Sequence, residues 1–204
     1  MNSKEHWEAI YKSKSPVDVS WYQQKPIISL ELIAMCSQST IDSIIDVGGG
    51  SATLCDYLLE RGYKHVTVLD LSANALEHSK QRLGDKASLI AWQVEDVTKF
   101  SAPRHYDIWH DRAVFHFLTE ECDRKKYKDV LNASVKAGGH IIIAAFSMGG
   151  PTKCSGLNIV QYDETKLKNE LGKNFDLLEQ RTEKHITPSG NVQLFGYYLF
   201  VKNA

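Results

Sequence analysis

From residue 43 onward, apolar residues fall into short runs that alternate between two periods. Residues 43–47 form a β-branched run that ends in three glycines at 48–50. Residues 53–61 carry apolar positions at helical spacing and stop at Gly62. A second strand over 65–69 ends at Asp70, and a helix over 73–83 follows, with Ser72 placed as its N-cap and Gly84 as its stop. Further strands are expected at 88–94, 106–109 and 140–146. A long helix over 120–137 precedes the last of these and ends at Gly138 and Gly139. Strands alternating with helices in this rhythm predict βαβ units and a parallel sheet covered on both faces.

The two ends of the chain read differently. Residues 1–40 contain no clean strand. A short helix over 5–11 carries His6, Trp7, Ile10 and Tyr11, Pro16 marks a polar break, and residues 27–36 are apolar at helical spacing. Beyond residue 150, a helix over 163–171 precedes strands at 175–185 and 193–201, joined by a turn at 188–190. Two successive strands without an intervening helix predict an antiparallel pair at the sheet edge. No linker or repeat divides the chain, so one domain over 1–204 is expected, with 1–40 as a helical segment ahead of a core over 41–204.

Composition narrows the class of partner. The 204 residues are 43% hydrophobic and 24% charged, with a net charge of −1 at pH 7. A protein that works through phosphate contacts carries a basic excess, so no nucleic-acid partner is expected. No apolar run approaches the roughly 18 residues of a membrane helix, and no membrane partner is expected. Residues 1–5 are polar and mixed in charge, without a signal-peptide core. Cys36, Cys55, Cys122 and Cys154 are widely spaced and form no C-x-x-C pair, which predicts reduced thiols, no bound metal and a cytoplasmic location.

The segment from Ile45 to Leu54 carries the chemistry. Glycines just past a first strand let the backbone turn sharply and approach a ligand, in the crevice where α/β sheets bind. A dinucleotide fingerprint requires a sixth-position glycine, and counting from Gly48 that position is Thr53. Asp46 also precedes the glycines, where it would repel a pyrophosphate and suit a ligand with a cationic end.

Here the chain resembles the class I S-adenosylmethionine-dependent methyltransferases. Their acidic residue followed by G-x-G is matched by Asp46, Gly48 and Gly50. The resemblance implies that Asp70, with Leu71 beside it, holds the ribose hydroxyls. It also implies that Asp96 contacts the adenine amino group, with the Val97 amide at the ring. It further implies a Rossmann-like, three-layer α/β sandwich whose mostly parallel sheet has seven strands, the last antiparallel. Members of the family use the segment before strand one as a lid, a part that Trp21 and Tyr22 would play here. The motif departs from the family at Ala52, where a further glycine is common.

After the fourth strand, His110, Asp111, Arg112 and His116 put four ionisable groups into seven residues. In this fold the end of strand four lies beside the transferred methyl, so His110 or Asp111 is a candidate proton acceptor and Arg112 a candidate orienting residue, with His110 also against the cofactor. An Asp111–Arg112 structural pair is the alternative. Cys154 in the loop after strand five and His185 near the final turn are weaker candidates. The expected activity is methyl transfer from S-adenosylmethionine to a small-molecule acceptor. A protein lysine methyltransferase is the alternative, since Asp111–Arg112–Ala113 partly matches that subgroup's D-K-G stretch; a non-catalytic cofactor-binding module is the third reading.

Overall fold

The computed structural model describes residues 3–203; Met1, Asn2 and Ala204, included in the expected domain span, lie outside the described residues. Two helices come first, α1 (Ser3–Ser13) and α2 (Ile27–Cys36). The alternating unit then begins: β1 (Ser43–Val47), α3 (Leu54–Glu60), β2 (His65–Asp70), α4 (Ala73–Leu83) and β3 (Ile90–Val94). It continues through β4 (Tyr106–Arg112), α5 (Glu121–Ser134) and β5 (Val135–Phe146). A small hairpin, β6 (Lys153–Cys154) with β7 (Leu157–Asn158), leads to α6 (Glu164–Leu171), β8 (Phe175–Ile186) and β9 (Val192–Lys202).

Seven strands form one sheet in the order β3-β2-β1-β4-β5-β9-β8. The first five are parallel, and β9 runs antiparallel to both of its neighbours. This is the expected three-layer α/β arrangement with its last strand reversed. Successive strand residues point to opposite faces, and the core divides accordingly. Ile142, Ala144 and Phe146 of β5 pack with α2, α3 and α4 on one face. Ile141, Ile143 and Ala145 pack with α5 and α6 on the other.

Several boundaries move from their sequence positions. Residues 84–89 wind into a 3-10 turn, so β3 begins at Ile90 rather than Ser88. Helix α5 ends at Ser134, not residue 137, because Val135 already pairs with Tyr106. The next pair is His140 with Ile108, which leaves residues 136–139 as a bulge. Gly138 has φ +73°, and a Cβ on Gly139 would crowd Val135 and two backbone carbonyls. The glycines serve this bulge, and the helix stops without them. β4 continues three residues past Trp109, with His110 and Asp111 paired to both β1 and β5 and Arg112 to β5, so all three lie on the strand.

Helix α1 is fastened to the sheet's far side by α4. The Glu8 carboxylate accepts hydrogen bonds from the Ser72 hydroxyl at 3.0 Å and from the amides of Ala73 and Asn74 at 2.8 and 3.2 Å. The Ser72 hydroxyl in turn accepts from the Ala75 amide at 3.1 Å, as the expected N-cap. A carboxylate from another helix thus satisfies the first N–H groups of α4 and complements its dipole. His78 Nε2 meets the Tyr11 carbonyl at 2.8 Å and fixes the next turn. Replacing Glu8 with Ala removes the shared cap. The expected result is a loss of about 1 kcal/mol in denaturant unfolding, with faster amide hydrogen exchange across both α1 and the first turn of α4.

Candidate active site

The strand order reverses between β1 and β4, which is where open α/β sheets bind their ligands. In that register Asp46 lies beside His110, and both face the α2 layer. Asp46 Oδ1 is 2.7 Å from His110 Nδ1, and His110 Nε2 is 2.9 Å from the Ser29 hydroxyl of α2. All three residues are buried. The arrangement that satisfies every partner has Nδ1–H donating to the carboxylate and Nε2 accepting from the hydroxyl. Ser29 had no signal in the sequence, because its contact spans 81 positions.

The glycine turn follows directly. Gly48 and Gly50 have φ of +67° and +32°. A Cβ on Gly48 would collide with Val114, one on Gly49 with Asp46 Oδ2, and one on Gly50 with Asp70 Oδ2. No side chain fits at any of the three, so the backbone can come close to a ligand here. A small cavity lies under the turn, bordered by Asp46, Gly48, His110, Tyr22 and Arg112.

A larger cavity of about 460 Å³ runs over the carboxyl ends of the strands. Gly48, Asp70, Leu71, Asp96 and Val97 line one half of it, in the order in which β1, β2 and β3 end. Asp70 is buried, and Oδ1 accepts from the Ser72 amide at 2.8 Å. Burial, with the charges of Asp46 and Glu8 adding to it against the opposing Ser72 N–H bond, raises its pKa to about 7. Asp96 accepts from the Thr98 amide and hydroxyl at 2.9 and 2.8 Å, which holds the turn after β3.

The other half lies over the ends of β4, β5 and β9 and is lined with rings. Trp7 of α1, Trp21 and Phe117 pack edge to face, with centroids 5.6 and 5.1 Å from Trp7. Phe146 and Phe195 form the floor at 4.7 Å. Arg112 borders both cavities. Its Nε donates to the Tyr197 hydroxyl at 2.9 Å, one Nη donates to the Trp21 carbonyl at 3.0 Å, and the guanidinium sits 4.5 Å over Phe195. Glu183 lies 3.6 Å from the remaining Nη. The structure therefore places Trp21 and Arg112 on both cavities, Asp46, Tyr22 and His110 only on the small one, and Gly50 on neither. Trp7, Tyr11, Phe117 and Phe195 join the wall without having been predicted as site residues. Trp7 and Tyr11 carried a signal in their spacing on α1 and Phe195 in its place on the strand after the final turn; Phe117 carried none.

Asp111 points the opposite way, as one step along a strand requires. It is fully buried toward α5, where Oδ2 accepts from the Tyr127 hydroxyl at 2.7 Å and the carboxylate accepts from the amides of Val114 and Phe115. Burial raises its pKa to about 6 against those hydrogen bonds. It holds the turn after β4 and touches neither cavity, and it makes no pair with Arg112. His116 is buried behind Phe117 and Phe146, and burial followed by the Arg112 charge pushes its pKa down to about 3. His185 Nε2 lies 2.8 Å from the Ser20 carbonyl, outside the cavity. Cys154 is buried on the cavity wall, and burial pushes its thiol up to about 11.

Residues 45–141 match the family model of a methyltransferase domain, and the fold is the one shared by the class I S-adenosylmethionine-dependent methyltransferases. The chain is 23% identical over 195 residues to EEF1A lysine methyltransferase 2 of Homo sapiens, covering 88% of this chain and 77% of that protein. Two further curated relatives align over 38% and 14% of their own lengths. Among solved structures, the N-methyltransferase NodS of Bradyrhizobium japonicum WM9, in complex with S-adenosylhomocysteine, superposes with a TM-score of 0.75 at 16% identity over all of both chains. A structure describing the conversion of a disulfide bond into a thioacetal group during echinomycin biosynthesis gives 0.78 at 18% identity, over 98% of this chain and 93% of that one. At these identities the structures show the shared fold alone.

Two outcomes follow from the geometry. A carboxyl group whose pKa is raised by folding stabilises the fold most below its unfolded value, near 3.8 here, and that contribution is lost as pH rises through about 7. Asp70→Asn keeps an acceptor for the Ser72 amide and removes the charge. It should raise the melting temperature of the unliganded protein at pH 8 by about 3 °C or more, with the gain fading toward pH 4 in calorimetric scans. His110→Asn retains a donor toward Asp46, whereas His110→Leu leaves that carboxylate unpartnered. Titration with S-adenosylhomocysteine should show affinity within about threefold of wild type for the first and at least tenfold weaker for the second.

Proposed function

We propose that this methyltransferase acts on a small-molecule acceptor and holds S-adenosylmethionine along β1, β2 and β3. Asp46 and the glycine turn would take the cationic amino-acid end, Asp70 with Leu71 the ribose hydroxyls, and Asp96 with the Val97 amide the adenine. The residues fit that group: the turn has no room for side chains, and Asp70 is a buried carboxylate that borders the cavity with accepting capacity beyond its backbone contacts to Ser72 and Gly50. S-adenosylmethionine supplies a methyl group on a cationic sulfur. What the protein contributes is mainly alignment, since in-line displacement from a sulfonium needs no acid to release the leaving group. Trp21, with Trp7 and Tyr11, would exclude water from the methyl, and Arg112 would border the acceptor.

The observation that carries the small-molecule reading is the roof. Helix α1 and Trp21 lie over the ring-lined half of the cavity, tied down through Glu8 and through the bond from Arg112 to the Trp21 carbonyl. A compact molecule fits a covered recess, as in ligand pockets generally. A second reading, methylation of a protein lysine, is favoured by the human relative's name.

Both readings are tested by incubating the protein with methyl-labelled cofactor and either a metabolite extract or a cell-protein extract. Label should enter small molecules; label confined to protein bands would reverse the choice. Asp70→Ala should weaken cofactor binding at least tenfold by calorimetry, through loss of a charge-assisted contact.

A further inference from the structure

The ring-lined half of the cavity has an electrostatic character that selects its occupant. Six aromatic rings, from Trp7, Tyr11, Trp21, Phe117, Phe146 and Phe195, make its walls. The one charged side chain among the described residues of this half is Arg112. The carboxylates that line the cavity, Asp70, Glu95, Asp96 and Asp123, belong to β2, the turn after β3 and α5. Glu183, the counter-ion of Arg112, is turned away from the cavity. It accepts from Tyr197 at 2.7 Å and from Gln23 at 2.6 Å, besides its ion pair. An ammonium entering here would lose its water, find no carboxylate, and meet a guanidinium.

The proton-accepting groups around this half are either held protonated or kept off its lining. The Cys154 thiol is held protonated by burial, as is the Tyr11 hydroxyl. His185 donates from Nε2 to the Ser20 carbonyl and lines neither cavity, His116 sits behind the rings, and Asp111 is enclosed against α5. Methyl transfer forms one bond to the acceptor's nucleophilic atom, breaks the carbon–sulfur bond and leaves that electron pair on sulfur. With a free lone pair on the acceptor, no proton has to move. A thiolate and a sulfonium give two neutral products, and a neutral ring nitrogen takes over the positive charge that sulfur gives up. An ammonium or a phenol would first need a base.

We propose that the acceptor is a small flat ring compound whose nucleophilic atom carries a free lone pair at neutral pH, an acidic ring thiol or a ring nitrogen, and that Arg112 is the specificity-determining residue that turns ammonium acceptors away. This deepens the small-molecule reading and rests on it. The flat rings of the wall suit a flat body by stacking, and the repulsive element is the guanidinium.

The test uses four probes of similar size with the protein loaded with S-adenosylhomocysteine: thiophenol, 4-methylpyridine, phenol and benzylamine. Trp7 and Trp21 report binding through their fluorescence, and methyl-labelled cofactor reports transfer in parallel. Thiophenol and 4-methylpyridine should quench the fluorescence and accept label at neutral pH at least tenfold faster than phenol or benzylamine; the faster arm tells sulfur from nitrogen. In Arg112→Met, Glu183 loses its counter-ion, and benzylamine binding should rise at least tenfold. The wild-type ranking stands without that variant. Benzylamine or a lysine peptide bound and methylated as fast as thiophenol would overturn the proposal, as would no quenching by either favoured probe. Failure of S-adenosylhomocysteine itself to bind, read separately by calorimetry, would bring down the underlying reading instead.

Discussion

A carboxylate buried at the centre of a parallel sheet needs a partner in the next strand, and the rest of this site depends on how Asp46 finds one. The reversal of strand order sets β1 against β4, and that register brings His110 level with Asp46. Ser29 closes the far end of the chain from α2. One hydrogen-bonded line therefore joins two strands and a helix from the opposite layer. It also leaves Asp46 Oδ2 beneath Gly49, so the floor of the turn and the middle of the sheet are the same object.

Two other carboxylates show how burial without and with partners divides function from structure. Asp111 is surrounded by donors, and those bonds shape the turn that carries Val114 and Phe115. Asp70 has backbone donors at Ser72 and Gly50 on one side and a cavity on the other. The first is saturated by the fold. The second is left wanting hydrogen-bond donors, at a cost to the unliganded protein that a bound diol would offset.

The sheet and its strand-end residues were legible in the sequence because both depend on local pattern. Period-two runs and glycine stops located β1, β2 and β5, and Asp46, Gly48, Gly50, Asp70 and Asp96 stand at strand ends that short range defines. The ring-lined side was legible only in part. His110, Asp111 and Arg112 look alike as three ionisable neighbours. Telling them apart requires knowing that β4 runs on through them, since each step then reverses the face. Glu8 and Ser29 work through contacts between remote segments, and single-sequence periodicity carries no trace of those. The glycines at 138 and 139 misled for a related reason: a helix stop and a bulge use the same residue type for the same backbone freedom.

The tie between α1 and α4 has a consequence for traffic through the cavity. The short helix that carries Glu8 also carries Trp7 and Tyr11 on the cavity wall. Lifting those rings pulls the carboxylate off three donors at once, and the first turn of α4 must then find water. Roof opening and fraying of that turn are therefore a single event. The residence time of whatever sits beneath the rings is governed in part by hydrogen bonds that never touch it.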